Sequence, residues 1–312
     1  MAKTASRDAW GRALVELGKE KDFVVLSADL ADSVRVEWFK KEYPDRFYEC
    51  GIAEANMIGL AAGIASTGKK AVASGFAMFV AGRAYDQIRN SVAYSSLPVV
   101  LGATHAGISV GEDGPTHQCC EDIALMRVIP GMTVISPSDA RETTEAVKAA
   151  LEMKTPVYLR LSRFPVEDTS PEDYKFELGK GVLLKEGTDV TVIATGITVC
   201  EAVEAAKLLA NEGVSAAVIN IHTIKPLDSE LIIKCVSATE SKCVVTVEEH
   251  SVIGGLGSAV AEALTEAGVA ARLKRLGLND TFGTSGKAAD VIEYFGLTAP
   301  HIAKAAKELL DK

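Results

Sequence analysis

Basic residues are in the minority in this chain, and they are not gathered into runs. Forty-two acidic residues outnumber 33 basic ones, giving a formal net charge of −9. A surface that binds nucleic acid or an anionic membrane depends on clustered Lys and Arg, so neither class of partner is predicted. An anionic ligand must therefore be held by a small local group of cations.

Long apolar stretches are also missing. No run of about 18 apolar residues is present, and Met1 to Glu20 lacks the apolar core and cleavage site of a secretory signal. The six cysteines form no C-x-x-C pair and no metal-ligand spacing, so we interpret them as mostly buried thiols of a reducing compartment. The sequence thus predicts a cytoplasmic protein without a membrane span.

What is present is an alternation of apolar strands and helices over 312 residues, a length that suits about two domains of roughly 150 residues each. This alternation predicts right-handed crossovers and parallel sheets covered on both faces, an α/β fold of two doubly wound domains. We predict a first domain over 1–165, a linker rich in Pro and acidic residues over 166–180, and a smaller domain with a parallel or mixed sheet over 181–312. Within the first domain, one helix is predicted over 79–94.

The segment Ala103–Gln118, here called the histidine loop, concentrates polar residues directly after a predicted buried strand. It carries His105, Glu112, Asp113 and His117 among glycines, and such an exit from a parallel strand commonly forms a ligand site. Two imidazoles and a carboxylate suit hydrogen bonding to a polyhydroxylated substrate and proton transfer at its oxygens. The alternative is that the histidines are structural, and no third ligand with metal-type spacing favours a metal site.

Other polar side chains follow the predicted strands of the first domain. Because the carboxyl ends of parallel strands share one edge of a sheet, these groups are expected to converge on one crevice. The residues in question are Ser27, Asp29, Ser33, Ser74 to Phe79, His105, Asp113, Arg160 and Arg163.

Glu54 begins a predicted helix, 53–66, that is otherwise nearly free of charge. It is either a first-turn acid that satisfies the helix dipole or a buried carboxyl that shares a proton with a ring nitrogen. Phe76 and Phe79, in the segment SGFAMF, are either core aromatics or a stacking surface for a planar cofactor.

Arg163 ends the last predicted strand of the first domain and, with Arg7 and Ser33, is a candidate for the local cation cluster that a phosphate requires. Exposed salt bridging is the alternative. The segment Gly254–Gly257 does not match a dinucleotide-binding fingerprint, and we interpret it as a tight strand-to-helix turn.

Four segments together resemble the C-terminal half of transketolase, a thiamine-diphosphate enzyme of the pentose phosphate pathway. They are GIAEANM, SGFAMF, HAGISVGEDGPTHQ and LSRFP, at 51–57, 74–79, 105–118 and 161–165. The resemblance covers essentially the whole chain and implies a pyrimidine-binding domain followed by the transketolase C-terminal domain. It implies reversible transfer of a two-carbon ketol unit from a ketose phosphate to an aldose phosphate.

The resemblance also assigns roles at the cofactor end. Glu54 matches the glutamate that hydrogen-bonds the aminopyrimidine nitrogen of thiamine diphosphate and promotes its imino tautomer. Phe79, with Phe76 and Ile52, matches the pocket around the pyrimidine ring. Asp29 matches a family motif near the cofactor, without a clear role.

At the substrate end, the resemblance makes His105 and Asp113 contacts of the sugar hydroxyls and His117 a contact nearer the phosphate. It implies catalytic roles for both histidines beside Glu54. The substrate-phosphate clamp is formed by the remaining matched residues, Arg7, Ser33 and Arg163.

One half of the family's cofactor site is missing from this sequence. The family holds the diphosphate through Mg²⁺ with a Gly-Asp-Gly segment followed by an Asn, and only Glu112-Asp113-Gly114 approaches this pattern. The resemblance therefore implies a split enzyme in which a separate N-terminal subunit supplies the diphosphate and Mg²⁺ domain. Self-association through both domains, as a dimer of two-chain units, is expected.

Two other enzyme families and one non-enzyme remain as alternatives. The segment 83–88 also resembles 1-deoxyxylulose-5-phosphate synthase and the β subunit of 2-oxoacid dehydrogenases. The former would carry Arg at the position of His105, and the latter lacks the Glu-Asp-Gly-Pro-Thr-His run, so transketolase is favoured. A catalytically silent homologue would not need Glu54.

Overall fold

The predicted α/β class is confirmed by the computed structural model, which describes residues 3–311. Six strands of a seven-stranded sheet come from the first half of the chain, and a five-stranded sheet lies in the second half. The α-helices flank the two sheets, as expected for sheets covered on both faces. They comprise Ser6–Leu17, Glu37–Glu42, Glu54–Ser66, Asp122–Arg127, Ala140–Glu152, Thr198–Asn211, Ser229–Ala238, Leu256–Glu266, Ala288–Tyr294 and Ala299–Leu310.

The seven-stranded sheet is most buried between its two edge strands. Phe23–Ser27 and Val99–Thr104 are buried along their full length, which explains their apolar composition. In spatial order the strands are Thr223–Lys225, Thr133–Ile135, Val157–Arg160, Val99–Thr104, Lys70–Phe76, Phe23–Ser27 and Phe47–Glu49.

One edge of this sheet departs from the predicted all-parallel first domain. Thr223–Lys225, from the second half of the chain, pairs antiparallel with Thr133–Ile135. A strand of three residues is too short to show an apolar period, so the pattern does not reveal it. The second half of the chain therefore supplies a strand to the sheet of the first half.

The five-stranded sheet is mixed, because Val182–Lys185 pairs antiparallel with Ala216–Asn220 while the other strand pairs are parallel. Its order is Arg272–Leu278, Cys243–Ser251, Val190–Ala194, Ala216–Asn220 and Val182–Lys185. A further short antiparallel pair joins Thr4–Ala5 to Pro165–Val166.

The helix predicted over 79–94 is wrong in detail. The structure has two π-helical segments there, Met78–Arg83 and Gln87–Ala93. Apolar spacing does not separate α from π geometry, in which hydrogen bonds run from i to i+5. Short π-helical segments occur frequently at functional sites. The first of the two, Met78–Arg83, carries Phe79 and Arg83.

The segment between the two large sheets is held by two buried carboxylates on the helix Ala140–Glu152 and its N-cap. Asp139 accepts hydrogen bonds from the backbone N–H groups of Thr169 and Ser170, each at 2.8 Å. Glu142 accepts from Tyr174 Oη at 2.7 Å and from Asn220 Nδ2 at 2.9 Å. Among the helices of residues 3–311, none has both the length and the apolar character needed to cross a membrane.

Candidate active site

The histidine loop is held in place by the second half of the chain at three glycines. Gly107, Gly111 and Gly114 all have positive φ, between 73° and 80°, which disfavours any residue with a Cβ. A Cβ on Gly107 would lie 1.7 Å from Oε1 of Glu249, and one on Gly114 would lie 2.2 Å from Oγ of Ser285. The glycines of this loop are therefore required by close packing against the second sheet and its loops.

His105 lies at the start of the histidine loop in a left-handed conformation, with φ 57°, and its side chain is buried. Its Nε2 lies 3.0 Å from Nη1 of Arg7 and its Nδ1 lies 2.8 Å from Oγ1 of Thr104. Because a guanidinium only donates hydrogen bonds, Nε2 is the acceptor and Nδ1 carries the proton. Burial, followed by the positive charges of Arg7 and Arg163, lowers the pKa of His105 to about 3, so the ring is neutral at physiological pH.

A continuous aromatic surface connects His105 to the π-helical segment. The ring of Phe76 stacks on His105 with a centroid distance of 3.8 Å and on Phe79 at 5.8 Å. His117 meets the edges of both phenylalanines, at 6.3 Å from Phe76 and 5.4 Å from Phe79. The two histidines and two phenylalanines thus form one connected cluster with Phe76 at its centre.

Glu54 lies at the far end of this surface. Its side chain is 2% exposed and its Oε2 accepts a hydrogen bond from Nη1 of Arg83 at 2.7 Å. The guanidinium of Arg83 also lies 4.6 Å from the ring centroid of Phe79. The carboxylate is therefore buried and paired with a cation, and this cation links it to the aromatic surface.

The cations expected to bind a phosphate lie at the opposite end of the surface. Arg7 donates to the backbone oxygen of Ser33 at 3.1 Å as well as to His105. Arg163 donates to Oδ2 of Asp113 at 3.2 Å. Burial and the nearby cations Arg35 and Arg163 lower the pKa of Arg7, which places the two predicted clamp arginines in one electrostatic neighbourhood.

Two of the residues assigned to the cofactor end, Ile52 and Asp29, lie on the surface of the chain. Ile52 is 77% exposed, and Asp29 is exposed with its N–H donating to Oε1 of Glu49 at 2.7 Å. The prediction that Arg160 points into the crevice is wrong, because its Nε donates to Oδ2 of Asp122 at 2.9 Å in the interior. A strand end gives the position of a residue but not the direction of its side chain.

A cavity of about 640 Å³ opens beside the π-helical segment. Phe79 and Arg83 line one wall and the segment 280–283 from the second half of the chain lines another. Cys120 also lines it, and burial raises the pKa of this thiol, which keeps it protonated and speaks against a nucleophilic role.

No role was predicted for Arg83, which forms an ion pair with Glu54. The available signal was the need of a buried carboxylate for a partner, together with an arginine four residues after Phe79. No role was predicted for Thr104 either, whose Oγ1 accepts a hydrogen bond from Nδ1 of His105.

The Gly254–Gly257 segment is a turn, as interpreted. The N–H groups of Leu256 and Gly257 donate to the two oxygens of Glu248, at 2.6 and 2.8 Å. The chain's own carboxylate therefore fills the start of this helix.

Glu249 follows Glu248 in the strand Cys243–Ser251. It provides a test of the contact between the histidine loop and the five-stranded sheet. It accepts from Oγ of Ser109 at 2.9 Å, while its Oε2 is buried without a hydrogen-bond partner in residues 3–311. Burial raises its pKa from 4.5 to about 7. Protonated Glu249 therefore makes its full contribution to the free energy of unfolding below about pH 4.5. This contribution is lost as the pH rises through about 7.

Replacement of Glu249 with Gln is expected to remove this pH dependence. Relative to the wild type, the variant should gain free energy of unfolding on the order of 3 kcal/mol between pH 4.5 and pH 8. Urea denaturation at pH 5, 6, 7 and 8 would measure the difference. A parallel pH dependence in both proteins would contradict the assignment.

Comparisons with known proteins agree with this geometry. Residues 2–167 match the model of the transketolase pyrimidine-binding domain, and residues 179–302 match that of the transketolase C-terminal domain. The chain is 49% identical over 309 residues to a transketolase C-terminal section of Methanocaldococcus jannaschii, covering 98% of this chain and 96% of that protein. It is 44% identical to the 6-deoxy-6-sulfo-D-fructose transketolase subunit SqwH of Clostridium sp., covering 98% of this chain and 94% of the subunit.

Solved structures show the same likeness. A structure described as split gene transketolase, inactive beta4 tetramer, superposes with a TM-score of 0.90 at 47% identity, covering 98% of each chain. A mutant transketolase of Pichia stipitis in complex with fructose 6-phosphate superposes with a TM-score of 0.84 at 28% identity, covering all of this chain and 46% of the other.

The fold and the site define a protein with the pyrimidine-binding and C-terminal domains of a thiamine-diphosphate-dependent transferase family. The chain belongs to the transketolase family. It spans almost the full length of the separate C-terminal section and about half of the long form, 50% in the case of rat transketolase.

Proposed function

We propose that this chain is the C-terminal subunit of a two-chain transketolase that transfers a two-carbon ketol unit from a ketose phosphate to an aldose phosphate. The observation that carries the proposal is the unbroken set of contacts from Glu54 through the aromatic surface to His105 and Arg7. It joins a buried carboxylate suited to a heterocycle and cations suited to an anionic group in a single site.

The cofactor end fits thiamine diphosphate. A planar aminopyrimidine needs an aromatic surface and a carboxyl at its ring nitrogen. Phe79 and Phe76 provide the first and Glu54 the second, and Phe79 also lines the cavity. The bound cofactor supplies the carbanion and the electron sink for carbon–carbon bond exchange. In our proposal Glu54 shares a proton with the pyrimidine nitrogen, Ile52 neighbours the ring, and Asp29 lies near the cofactor without an assigned role.

The substrate end fits a phosphorylated sugar. Arg7 and Arg163, with Ser33, provide donors for the phosphate, a role in which guanidinium geometry is favourable. Asp113, His105 and His117 provide donors and acceptors for the hydroxyls. Because His105 is neutral with a pKa near 3, we propose that it orients substrate oxygens through hydrogen bonds, and that His117 serves the proton transfers.

The diphosphate end is proposed to come from a separate N-terminal subunit that holds Mg²⁺. This chain carries the proposed pyrimidine and sugar residues but no Gly-Asp-Gly segment with a following Asn. The description of the related split-gene structure as an inactive tetramer of β chains supports both self-association and dependence on a partner. The subunits of Clostridium sp. and Phocaeicola vulgatus, named for a sulfofructose and for apulose 4-phosphate, support variation of the sugar.

The purified chain alone is expected to show no ketol transfer, because half of the cofactor site is on the partner. Addition of the N-terminal subunit with thiamine diphosphate and Mg²⁺ should restore it. A coupled assay with a ketose phosphate donor and an aldose phosphate acceptor would measure both states. Full activity of the chain without a partner would refute the two-chain proposal.

A second candidate is a 2-oxoacid-using enzyme of the same cofactor. The chain is 40% identical over 306 residues to 1-deoxy-D-xylulose-5-phosphate synthase of Chlorobium phaeovibrioides, covering 47% of that protein. Release of CO₂ from pyruvate by the reconstituted pair would favour this candidate, and ketol transfer without CO₂ release would favour transketolase.

A further inference from the structure

Arg83 occupies both surfaces that the proposed function assigns to the pyrimidine. Its Nη1 donates to Oε2 of Glu54 at 2.7 Å, and its guanidinium lies over the ring of Phe79 at 4.6 Å. A planar heterocycle that stacks on Phe79 and hydrogen-bonds Glu54 would need the same space. One side chain therefore competes with the proposed ligand at two points.

The pair with Arg83 also fixes the hydrogen-bonding role of Glu54. A guanidinium has donors only, so Oε2 of Glu54 must act as an acceptor while the pair exists. A carboxyl that shares a proton with a ring nitrogen must donate at one of its oxygens. While Arg83 donates to Oε2, only Oε1 of Glu54 is left to hold the shared proton.

Arg83 is free to leave this position. Its side chain is 52% exposed whereas that of Glu54 is 2% exposed, so the arginine can move without opening the core. Glu121 and Asp280 line the same cavity and offer carboxylates to a displaced guanidinium. The site therefore contains an alternative environment for the cation.

We propose that Arg83 is a latch on Glu54 that must be displaced when thiamine diphosphate binds. The inference rests on the proposed function, since it concerns the pyrimidine end of that site. In the cofactor-free chain the latch keeps a buried carboxylate paired and covers the face of Phe79. When the cofactor binds, Glu54 exchanges its hydrogen-bond partner, from Arg83 to the pyrimidine. Arg83 acts only through Glu54 and is therefore a positioning residue.

The test is calorimetric titration of thiamine diphosphate, with Mg²⁺ present, into the two-subunit complex. Replacement of Arg83 with Gln removes the competing cation and is expected to lower the dissociation constant about three- to tenfold, as for a half-exposed ion pair with a cation–π contact. The matched control is Arg89→Gln. Arg89 lies on the neighbouring π-helical segment, is exposed and bonds only the adjacent Asn90 within the described residues, so its replacement should leave the dissociation constant unchanged.

The same comparison in a Glu54→Gln background separates competition from other effects. Without the carboxylate there is no ion pair to break, so Arg83→Gln should then change the dissociation constant by less than about twofold. If Arg83→Gln in the otherwise wild-type complex bound thiamine diphosphate equally well or more weakly, the latch would be overturned. Weaker binding would mean that Arg83 contacts the cofactor. A wild-type complex that binds no thiamine diphosphate would overturn the proposed function and the latch with it.

Discussion

Replacement of Glu54 with Gln is expected to lower the turnover of the two-subunit complex by about 10²- to 10⁴-fold, the range for loss of a positioned acid–base group. Glutamine keeps the shape of the side chain but exchanges no proton at physiological pH. Because the side chain of Glu54 is 2% exposed and pairs with Arg83, water cannot readily take its place. Steady-state ketol transfer by the reconstituted pair would measure the loss.

The matched control for this variant is Glu37→Gln. Glu37 is also the first residue of a helix, Glu37–Glu42, and pairs with Lys41 at 3.0 Å on the surface. If Glu54 served only the helix dipole, both variants would have the small effects typical of first-turn acids. Near wild-type turnover in Glu54→Gln would therefore remove the proton-sharing role and favour a binding homologue without catalysis.

Replacement of Asp122 with Ala is expected to reduce the free energy of unfolding by about 3–5 kcal/mol, the loss seen when one member of a buried ion pair is removed. Asp122 is fully buried and accepts from Nε of Arg160 at 2.9 Å and from Oη of Tyr158 at 2.9 Å. The substitution would leave Nε of Arg160 and the phenol of Tyr158 without an acceptor. Urea denaturation at pH 7 would measure the change.

An exposed pair provides the comparison. Glu204 and Lys207 are 2.6 Å apart, with side chains 58% and 64% exposed, so Glu204→Ala should change the free energy of unfolding by less than about 1 kcal/mol. Equal losses of unfolding free energy in the two variants would show that the buried pair of Asp122 stabilises the fold no more than an exposed pair does. A loss confined to Asp122→Ala would identify Arg160 as a structural residue of the interdomain region, since it also donates to the backbone oxygen of Glu249 at 2.8 Å.

The α/β class and the residues of the histidine loop were predictable because both depend on local patterns. Buried parallel strands are continuous apolar runs, and a glycine-rich polar loop after such a strand is a local feature. The contact between His105 and Phe76 followed from their placement at neighbouring strand ends, since Phe76 pairs in register with Thr104.

Other features depend on contacts between distant residues and leave no local pattern. The Arg83 to Glu54 pair joins two helical segments 29 positions apart, and the burial of Arg160 depends on the position of Asp122, 38 positions earlier. Gly107 can be seen in the sequence, but the reason that it must be a glycine is its close approach to Glu249, which lies far along the chain. Side-chain direction at a strand end is decided by such partners.

The strand Thr223–Lys225 has a consequence for how the molecule unfolds. It extends the first sheet from within the second half of the chain, and Asn220, just before it, donates to Glu142 on a helix of the first half. Withdrawal of either half would expose a sheet edge and leave buried polar groups without partners, so neither half has a complete set of native contacts by itself. The two halves are therefore expected to lose structure in one cooperative transition, and dissection of the chain at its linker would yield two fragments that need each other to fold.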